Sequence, residues 1–322
     1  MITYALLSGH VGAFRSLTGM GVSEFDALFT EFVPAHLERL RVSATKRHQT
    51  ARRKAQGSGR LHRHTLQDRL LLTLMWLRIY TTYEVLGFFF GLNKTNIEDN
   101  LKDVLATLET MSQVSAKRPD PARRKLRSVQ SVMEAFPDVR LVIDAKEQRI
   151  QRPKSDKEND QQKPYYSGKK KTHTLKNQIA VCPQGVIEAV SQSVPGGANH
   201  DITLLRNDHL LDQLGPGEAA MMDKGYDGIT KDYPDKRLYL PHKARRNHPL
   251  TPEQKADNRV HARYRIIVEH VNAQLNRFEV LAQVWRHARN GHYQVIRVVA
   301  GLVNRRTYAC PLKTYNIAQV NA

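Results

Sequence analysis

The first third of the chain carries apolar residues at the 3.6-residue spacing of helices. The segment EFDALFTEF predicts a helix that Pro34 bends or ends, because proline lacks an N–H group and crowds the preceding turn. Thr65 is a candidate N-cap for LQDRLLLTLMWLRIY, whose apolar residues nearly surround it and predict a buried helix. The segment TYEVLGFFFG predicts a short helix that ends at Gly91.

A further helix is predicted to begin at Asn93 or Thr95. Its apolar positions share one helical face: Ile97, Leu101, Val104, Leu105 and Leu108. A helix, a short helix, a glycine turn and a helix form the order of a helix-turn-helix, whose last helix enters the major groove by its N-terminal residues. The candidate base-contacting residues are Asn93, Lys94, Thr95 and Asn96. Because Glu98, Asp99 and Asp103 would repel phosphate, a plain helical bundle is the alternative.

Beyond residue 130 the pattern changes to short runs of high β-propensity. Strands are predicted at Arg140–Ala145, Asn177–Cys182, Val186–Val194 and Ala219–Asp223. Helices are predicted at Asn199–Leu214, Asp257–Val284 and His292–Tyr308. Three strands, a helix, a fourth strand and further helices indicate an α/β architecture, a mixed sheet flanked by helices.

The composition adds a strong positive charge to this picture. The 322 residues include 50 Lys and Arg against 31 Asp and Glu, which gives a net charge of +19. A surplus of this size is typical of proteins that bind polyanions, nucleic acid first among them. An apolar content of 40% can fill real cores and excludes wholesale disorder.

The sequence predicts a cytoplasmic protein without a membrane partner. The longest apolar stretch, Leu70–Leu77, is far shorter than the ~20 residues of a membrane span. The N-terminus lacks the basic lead and apolar run of a secretory signal. Cys182 and Cys310 are too few for a disulfide framework and lack the paired spacing of a zinc site, so both are expected to be structural thiols in a reducing compartment.

Two basic segments are candidates for DNA contact. Residues 42–63 carry no acid, which fits a flexible linker and a DNA-contacting arm equally well. Residues 146–176 combine basic side chains, which follow a DNA backbone, with tyrosines that can stack on bases, so they predict a loop that holds a DNA end. A solvated strand connection is the alternative. The candidate DNA-binding residues of this loop are Arg149, Arg152, Tyr165, Tyr166, Lys169, Lys170, Lys171 and His173.

Three carboxylates are candidates for metal chemistry. Asp144 closes the apolar run LVID and Asp223 closes AAMMD, and a charge at the end of a buried strand needs a partner such as a cation. Glu269 lies on the predicted helix RYRIIVEHVNAQLNRF. Its polar face, Arg265, Glu269, Asn272 and Asn276, is expected opposite the buried stripe of Ile267, Val271, Leu275 and Phe278. Three such acids suit two-metal phosphoryl transfer, although each one alone is more simply a turn or solvated residue.

Five segments together resemble bacterial insertion-sequence transposases of the DDE superfamily, which are related to Harbinger-like endonucleases. In chain order they are VIDAKEQRIQRP, YYSGKKKTHTLKNQIAV, VSQSVPGGANHDITLL, MMDKGYDGI and RYRIIVEHVNAQLNRFEVL. The helical part before them resembles the helix-turn-helix that precedes this core. The resemblance implies an RNase H-like catalytic core at 131–310 and a helical DNA-binding domain at 1–116 with the helix-turn-helix at about 65–110. The run Lys117–Arg127, with two prolines and six basic residues against one acid, predicts a basic linker at 117–130, and residues 311–322 are expected to form a tail.

The resemblance also implies chemistry and partners. Asp144, Asp223 and Glu269 would be catalytic and bind two Mg²⁺ ions, with Mn²⁺ able to substitute, and Arg265 and Asn276 would contact DNA. The enzyme would bind the terminal inverted repeats of an insertion sequence, cleave the phosphodiester at each end and join the 3′ ends to target DNA. Handling two ends implies at least a dimer on double-stranded DNA.

The chain departs from the family pattern at three positions. The family commonly has Gly and Thr after the first Asp, where this chain has Ala145 and Lys146, and it usually has Lys seven residues after the Glu, where this chain has Asn276. Asp201 competes with Asp223 as the second acid, but its position at the start of a helix favours a capping role. The rival functions are a stand-alone nuclease or resolvase with the same core and a DNA-binding regulator without catalysis.

Overall fold

The computed structural model describes residues 1–47, 64–112, 136–154 and 162–309. These residues form two compact units: the described part of Met1–Gln113 with Arg277–Gln283, and the described parts of Val114–Asn276 and Val284–Ala322. The predicted linker and tail, Cys310 and most of the basic run 42–63 lie outside the described residues. Among the described helices, none has both the length and the apolar character to cross a membrane.

The first unit is helical. Its N-terminal helices are α1 (Tyr4–Ser8), α2 (Val11–Thr18), α3 (Val22–Arg47), α4 (Leu66–Ile79), α5 (Tyr83–Phe90) and α6 (Lys94–Met111). The predicted burial of α4 and its cap are confirmed: residues 68–77 are buried, and the Thr65 hydroxyl accepts from the N–H of Asp68 at 3.1 Å. The expectation that Pro34 could end a helix is wrong, because α3 continues through it, with Pro34 exposed on the outer side of the unit.

The turn between α5 and α6 follows from two residues. Gly91 ends α5 with a φ of +63°, in the left-handed region that glycine adopts without steric cost. Asn93 then caps α6, its side-chain oxygen accepting from the N–H of Asn96 at 2.8 Å. The predicted apolar face of α6 is confirmed by the burial of Ile97, Leu101, Val104, Leu105 and Leu108.

The second unit is built on one sheet. Its strands are β1 (Val139–Arg149), β2 (Tyr166–Ser167), β3 (Thr172–Val181), β4 (Ile187–Val190), β5 (Val194–Pro195), β6 (Ala219–Met221) and β7 (Arg237–Tyr239). The order is β2-β3-β1-β6-β7, and β4 and β5 also pair with β3. The β1-β3 and β3-β4 pairs are antiparallel, whereas β1-β6 and β6-β7 are parallel. The predicted mixed sheet is therefore confirmed.

Helices cover both faces of this sheet: α7 (Asp201–Asp208), α8 (Pro252–Leu275) and α10 (His292–Ala309), with α9 (Glu279–Ala282) between the last two in sequence. Side chains alternate along β1. Leu141 and Ile143 pack with residues of α7 and the turns after it in one buried cluster. Asp144 points to the other face, where Asn272 of α8 contacts it.

Several predicted boundaries are wrong. The strand predicted at Arg140–Ala145 extends to Arg149, because the polar residues after the apolar run continue the ladder with β3. The run Val186–Val194 divides into β4 and the start of β5, and the helix predicted at Asn199–Leu214 divides into α7 and a short 3-10 helix at Leu210–Gln213. The local pattern of apolar residues does not show which backbone groups will find hydrogen-bond partners, so it misplaces the ends of strands and helices.

The predicted helix Asp257–Val284 is wrong at both ends. It begins at Pro252, because Thr251 and Gln254 form a capping box, and it ends at Leu275. The residues that follow belong to the first unit, where α9 packs against α4 and buries Val280 and Leu281.

Candidate active site

Asp144 on β1 and Asp223, two residues after the end of the neighbouring strand β6, lie at the same level of the sheet. Val142 of β1 pairs with Met221 of β6 in parallel register, and each aspartate follows two residues later. The β1-β6 pairing ends there, while β1 continues alongside β3. The two carboxylates therefore lie together where the sheet opens between β1 and β6.

The helix α8 brings a third carboxylate and a guanidinium to this opening. Arg265 Nη1 lies 2.6 Å from Asp223 Oδ1, and Arg265 Nη2 lies 3.5 Å from Glu269 Oε1. The Glu269 side chain is 58% exposed, whereas that of Arg265 is only 19% exposed. Arg265 thus joins the acid at the strand end to the acid on the helix.

The polar arc of α8 flanks the buried stripe and does not lie opposite it. At about 100° per residue, the centre of the arc of residues 265, 269, 272 and 276 lies about 130° from the centre of the stripe, a little over a third of a turn. Ile267, Val271 and Leu275 are buried as predicted, but Phe278 lies beyond the end of the helix. The flanking position explains why Asn272 reaches the sheet, where its Nδ2 donates to Asp144 Oδ2 at 3.4 Å.

The surroundings of Asp144 disfavour its negative charge. Burial raises the pKa of Asp144, and the charges of Asp223 and Asp201 raise it further, while Arg265 and the backbone N–H of Ala145 lower it. Asn272 Oδ1 is buried and has no hydrogen-bond partner among the described residues. Crowded carboxylates beside an unpaired amide oxygen form a set of hard oxygen donors that would be stabilised by a cation.

The three carboxylates do not yet converge. Across the described ranges of the chain, no three His, Cys, Asp or Glu side chains are close enough to hold one metal ion. Arg265 lies between Asp223 and Glu269 and partly neutralises both. The donor chemistry fits Mg²⁺, but the present positions of the side chains pair two of the donors with a guanidinium.

The expected capping role of Asp201 is wrong. His200 is the N-cap residue of α7, and Asp201 instead accepts from Lys176 Nζ at 2.9 Å. Lys176 lies on β3, its side chain is 7% exposed, and its Nζ also lies 3.6 Å from Glu147 Oε1. A side chain at position 225 would meet Asp201, since a Cβ there would come within 2.7 Å of Oδ2, so Gly225 allows this close approach.

Sequence reasoning did not identify Lys146 as part of the site. It lies two residues after Asp144 on the same face of β1, and its Nζ donates to Asn276 Oδ1 at the end of α8. Burial, together with the nearby charge of Lys170, lowers the pKa of Lys146 to about 8. Strand alternation from Asp144 could have indicated Lys146, whereas no local signal indicated the ion pair of Lys176 with Asp201.

This geometry agrees with a family comparison. The sequence profile of the family described as DDE superfamily endonuclease matches residues 143–304, half of the chain. The chain belongs to this DDE endonuclease superfamily. The match spans Asp144, Asp223 and Glu269 together with the strands and helix that carry them. The predicted enzyme class is therefore confirmed.

Individual relatives agree with the insertion-sequence resemblance. The probable transposase for insertion sequence element IS702 of Microchaete diplosiphon is 29% identical over 252 residues, which are 78% of this chain and 84% of that protein. Two solved structures, a pre-cleavage Mos1 transpososome and a Mos1 transposase paired-end complex, are 10% identical over 82% of this chain and 84% of theirs. Their TM-scores are 0.21 and 0.20, too low to carry a structural argument.

The predicted DNA-binding loop of this DDE endonuclease is partly a hairpin. Tyr166 pairs with His173 between β2 and β3, and the exposed residues Lys169, Lys170 and Lys171 form the turn. Tyr166 is 46% exposed. Lys170 is close enough to Lys146 for its charge to lower the pKa of that lysine. Residues 155–161 lie outside the described residues.

The other loop residues have partners of their own. The guanidinium of Arg289 stacks over the ring of Tyr165, 4.7 Å from its centroid. Arg152 Nε donates to Gln162 Oε1 at 2.9 Å, and Arg149 is exposed at the end of β1. Tyr165 is therefore partly covered by Arg289, whereas Tyr166 stays 46% exposed although its ring meets that of His173 edge-on at 5.6 Å.

The candidate base-contacting residues at the start of α6 are all exposed. Asn93 uses its side-chain oxygen as the helix cap, and Lys94 pairs with Glu84 at 3.2 Å. Asp103, which was expected to repel phosphate, is bound inside the unit. Burial alone would raise its pKa, but Arg69 and Arg39 lower it.

Proposed function

We propose that this protein is a DNA transposase that cleaves the phosphodiester at the ends of an insertion sequence and joins the 3′ ends to target DNA. The observation that carries the proposal is the placement of Asp144 and Asp223 two residues beyond the Val142–Met221 pair, with Glu269 linked to Asp223 through Arg265. In the sheet, the antiparallel strands β4, β3 and β1 are followed by β6 and β7, which run parallel to β1. This order supports an RNase H-like core for the proposed transposase.

The proposed cofactor is a pair of Mg²⁺ ions held by Asp144, Asp223 and Glu269. Such ions would activate the attacking oxygen and stabilise the leaving oxygen of an in-line displacement at phosphorus. For Asp223 to offer both of its carboxylate oxygens as ligands, Arg265 must leave its ion pair with Asp223 Oδ1. The released guanidinium, on the same face of α8 as Glu269, would then be free for a DNA phosphate.

Two regions are proposed to bind double-stranded DNA. The α4-α5-α6 segment would act as a helix-turn-helix for the terminal inverted repeats, with the exposed residues Thr95 and Asn96 at the start of α6 reaching base edges. The exposed lysine turn between β2 and β3, together with the ring of Tyr166, would hold the DNA end near the carboxylates. Because two ends are processed together, the active form would be at least a dimer.

The test is cleavage and joining by the full chain. Duplexes that carry the sequences flanking the gene are incubated with wild-type protein in Mg²⁺, and products are resolved on denaturing gels. Asp144→Asn, Asp223→Asn and Glu269→Gln should each abolish cleavage and leave DNA binding near the wild-type level. Cleavage near the wild-type rate in any one variant would remove that residue from the site.

A pre-cut end separates transposition from simple cleavage. Wild-type protein given a duplex with an exposed 3′ hydroxyl should join it to a supercoiled plasmid. Cleavage without joining would indicate the stand-alone nuclease, and sequence-specific binding without either reaction would indicate a DNA-binding regulator.

A further inference from the structure

Lys146 lies at the junction between the strand and the helix that carry the candidate catalytic acids. It shares a face of β1 with Asp144, and its Nζ donates to Asn276 Oδ1. Asn276 is the C-cap residue of α8, seven positions beyond Glu269. The ammonium group is therefore positioned from two sides, by its own strand and by the end of the helix.

The ammonium group lies in surroundings that favour an additional anion. Its described hydrogen-bond partner is a neutral amide, and Lys170 of the β2-β3 turn adds a second positive charge nearby. The Lys146 side chain is half-buried, so an anion bound there would be partly shielded from water. A phosphate placed between Lys146 and Lys170 would stabilise both cations.

Lys146 and Asn276 are also the two departures from the family pattern that change the charge at their positions. The lysine usual seven residues after the glutamate is replaced by Asn276, and a lysine occurs instead at position 146. The structure places these two departures in direct contact. A cation is thus present at the end of α8, although it is supplied by β1.

We propose that Lys146, held in place by Asn276, binds a DNA backbone phosphate adjacent to the phosphate at which the strand is cleaved. This inference rests on the proposed function, since it assigns a substrate contact in the same site. Lys146 is a binding residue in this account, and Asn276 is the residue that positions it.

The experiment measures DNA binding and cleavage separately with the full chain. The probe is a fluorescein-labelled duplex of about 30 base pairs from the sequence flanking the gene, titrated in Ca²⁺ at several salt concentrations. Lys146→Gln should raise Kd roughly three- to tenfold and make the slope of log K against log salt shallower by about 0.9, the value for one lost phosphate contact. Lys146→Arg should keep most of the slope.

Two further variants make the result specific. Lys231→Gln, at an exposed lysine in the short helix Ile229–Lys231, is the matched control and should leave Kd and slope near the wild-type values. Lys146→Gln combined with Asn276→Lys returns a cation to the same junction and should recover the slope and the cleavage rate. A purely structural role for Lys146 would lower the melting temperature without this recovery.

The outcomes separate the two proposals. The inference is overturned if a folded Lys146→Gln protein keeps the wild-type slope of log K against log salt. It is also overturned if Lys146→Gln makes the slope shallower and the added Asn276→Lys change does not restore it. Both results count even if the wild-type enzyme cleaves normally. A wild-type protein that binds but never cleaves overturns the proposed function, and the slopes still decide whether Lys146 contacts phosphate.

Discussion

Asp201 and Asp223 both lie near Asp144, and their neighbours indicate different roles. Asp223 follows a strand end and faces Arg265, whereas Asp201 faces the buried Lys176. Asp201 also contributes to the raised pKa of Asp144. At the scale of single residues, one aspartate belongs to the proposed ligand set and the other balances a buried lysine.

Asp201→Asn is therefore expected to destabilise the protein without removing cleavage. It leaves Lys176 with Glu147 as its remaining described carboxylate partner, so the free energy of unfolding should fall by ~1–3 kcal/mol. Urea denaturation measures this loss, and cleavage is compared at matched folded concentration. Asp223→Asn is the paired variant and should be inactive. A folded but inactive Asp201→Asn protein beside an active Asp223→Asn protein would reverse the assignment of the second acid.

His292 is a second residue whose burial has a measurable consequence. Asn177 donates to Ser193 Oγ, and the imidazole of His292 bridges Ser193 Oγ at 2.7 Å and Gln148 Oε1 at 2.8 Å. Burial, together with the charge of Lys146, lowers the pKa of His292 from 6.5 to about 4. The folded protein therefore keeps this histidine neutral at pH values where the unfolded chain protonates it.

The stability contributed by neutral His292 should be complete above pH 6.5 and lost as the pH falls towards 4. The unfolded state binds the extra proton in this window, so about 2 kcal/mol should be lost by pH 5. The measurement is the free energy of unfolding at pH 7 and pH 5 for wild type and His292→Gln. The variant should show a smaller loss, and an equal loss in both proteins would contradict the assigned pKa.

At the scale of elements, the first turn of α6 has two roles: it is the capped start of the helix, and it is proposed to contact DNA bases. Its first residues are exposed, but Asn93 is occupied as the cap. The two tasks can be separated because capping depends on one side-chain oxygen, whereas base contact depends on the residues of the first turn.

Asn93 and Asn96 should respond differently to substitution. Asn96→Ala is expected to relax base preference for the terminal repeat with little change in melting temperature. Asn93→Ala should cost ~1 kcal/mol of stability through the lost cap, and Asn93→Asp, which can still cap, should restore it. Gel-shift competition with random DNA and thermal melting give the two readouts. Unchanged preference in Asn96→Ala would argue for a plain helical bundle.

The segment Arg277–Gln283 shows how elements distant in sequence complete a unit. Val280 and Leu281 are buried where α9 packs against α4, and Arg78 donates to the carbonyl oxygen of Arg277. A fragment that stops before the sheet would lack these residues and expose part of α4. DNA binding by the helical unit is for this reason best measured in the full chain.

At the scale of the whole molecule, the proposed reaction depends on a divalent cation. Mg²⁺ or Mn²⁺ should support cleavage, whereas Ca²⁺ should permit DNA binding without turnover, because it accepts longer and looser coordination than the reaction geometry tolerates. Cleavage rates and Kd are measured in each ion and in excess chelator. Full cleavage in chelator would rule out the two-metal account.

The sequence by itself determined the features that depend on local chemistry. Apolar periodicity located α4, α6 and the strand that carries Asp144, and the Thr65 cap follows from one side chain and its neighbours. The candidate acids Asp144, Asp223 and Glu269 were proposed because the stretches that carry them resemble the motifs of a family and because charges at the ends of apolar runs need partners. The caps, the apolar faces and each single motif are contained within a few consecutive residues.

Only the tertiary structure decided which distant residues meet. The contact of Lys146 with Asn276, the pair of Lys176 with Asp201 and the end of α8 at Leu275 depend on hydrogen-bond register and on packing between segments far apart in the chain. Local propensity does not encode such register, because the same polar residue can face solvent, cap a helix or pair with a buried charge. Burial and the partner then decide among these states, and both are properties of the folded chain.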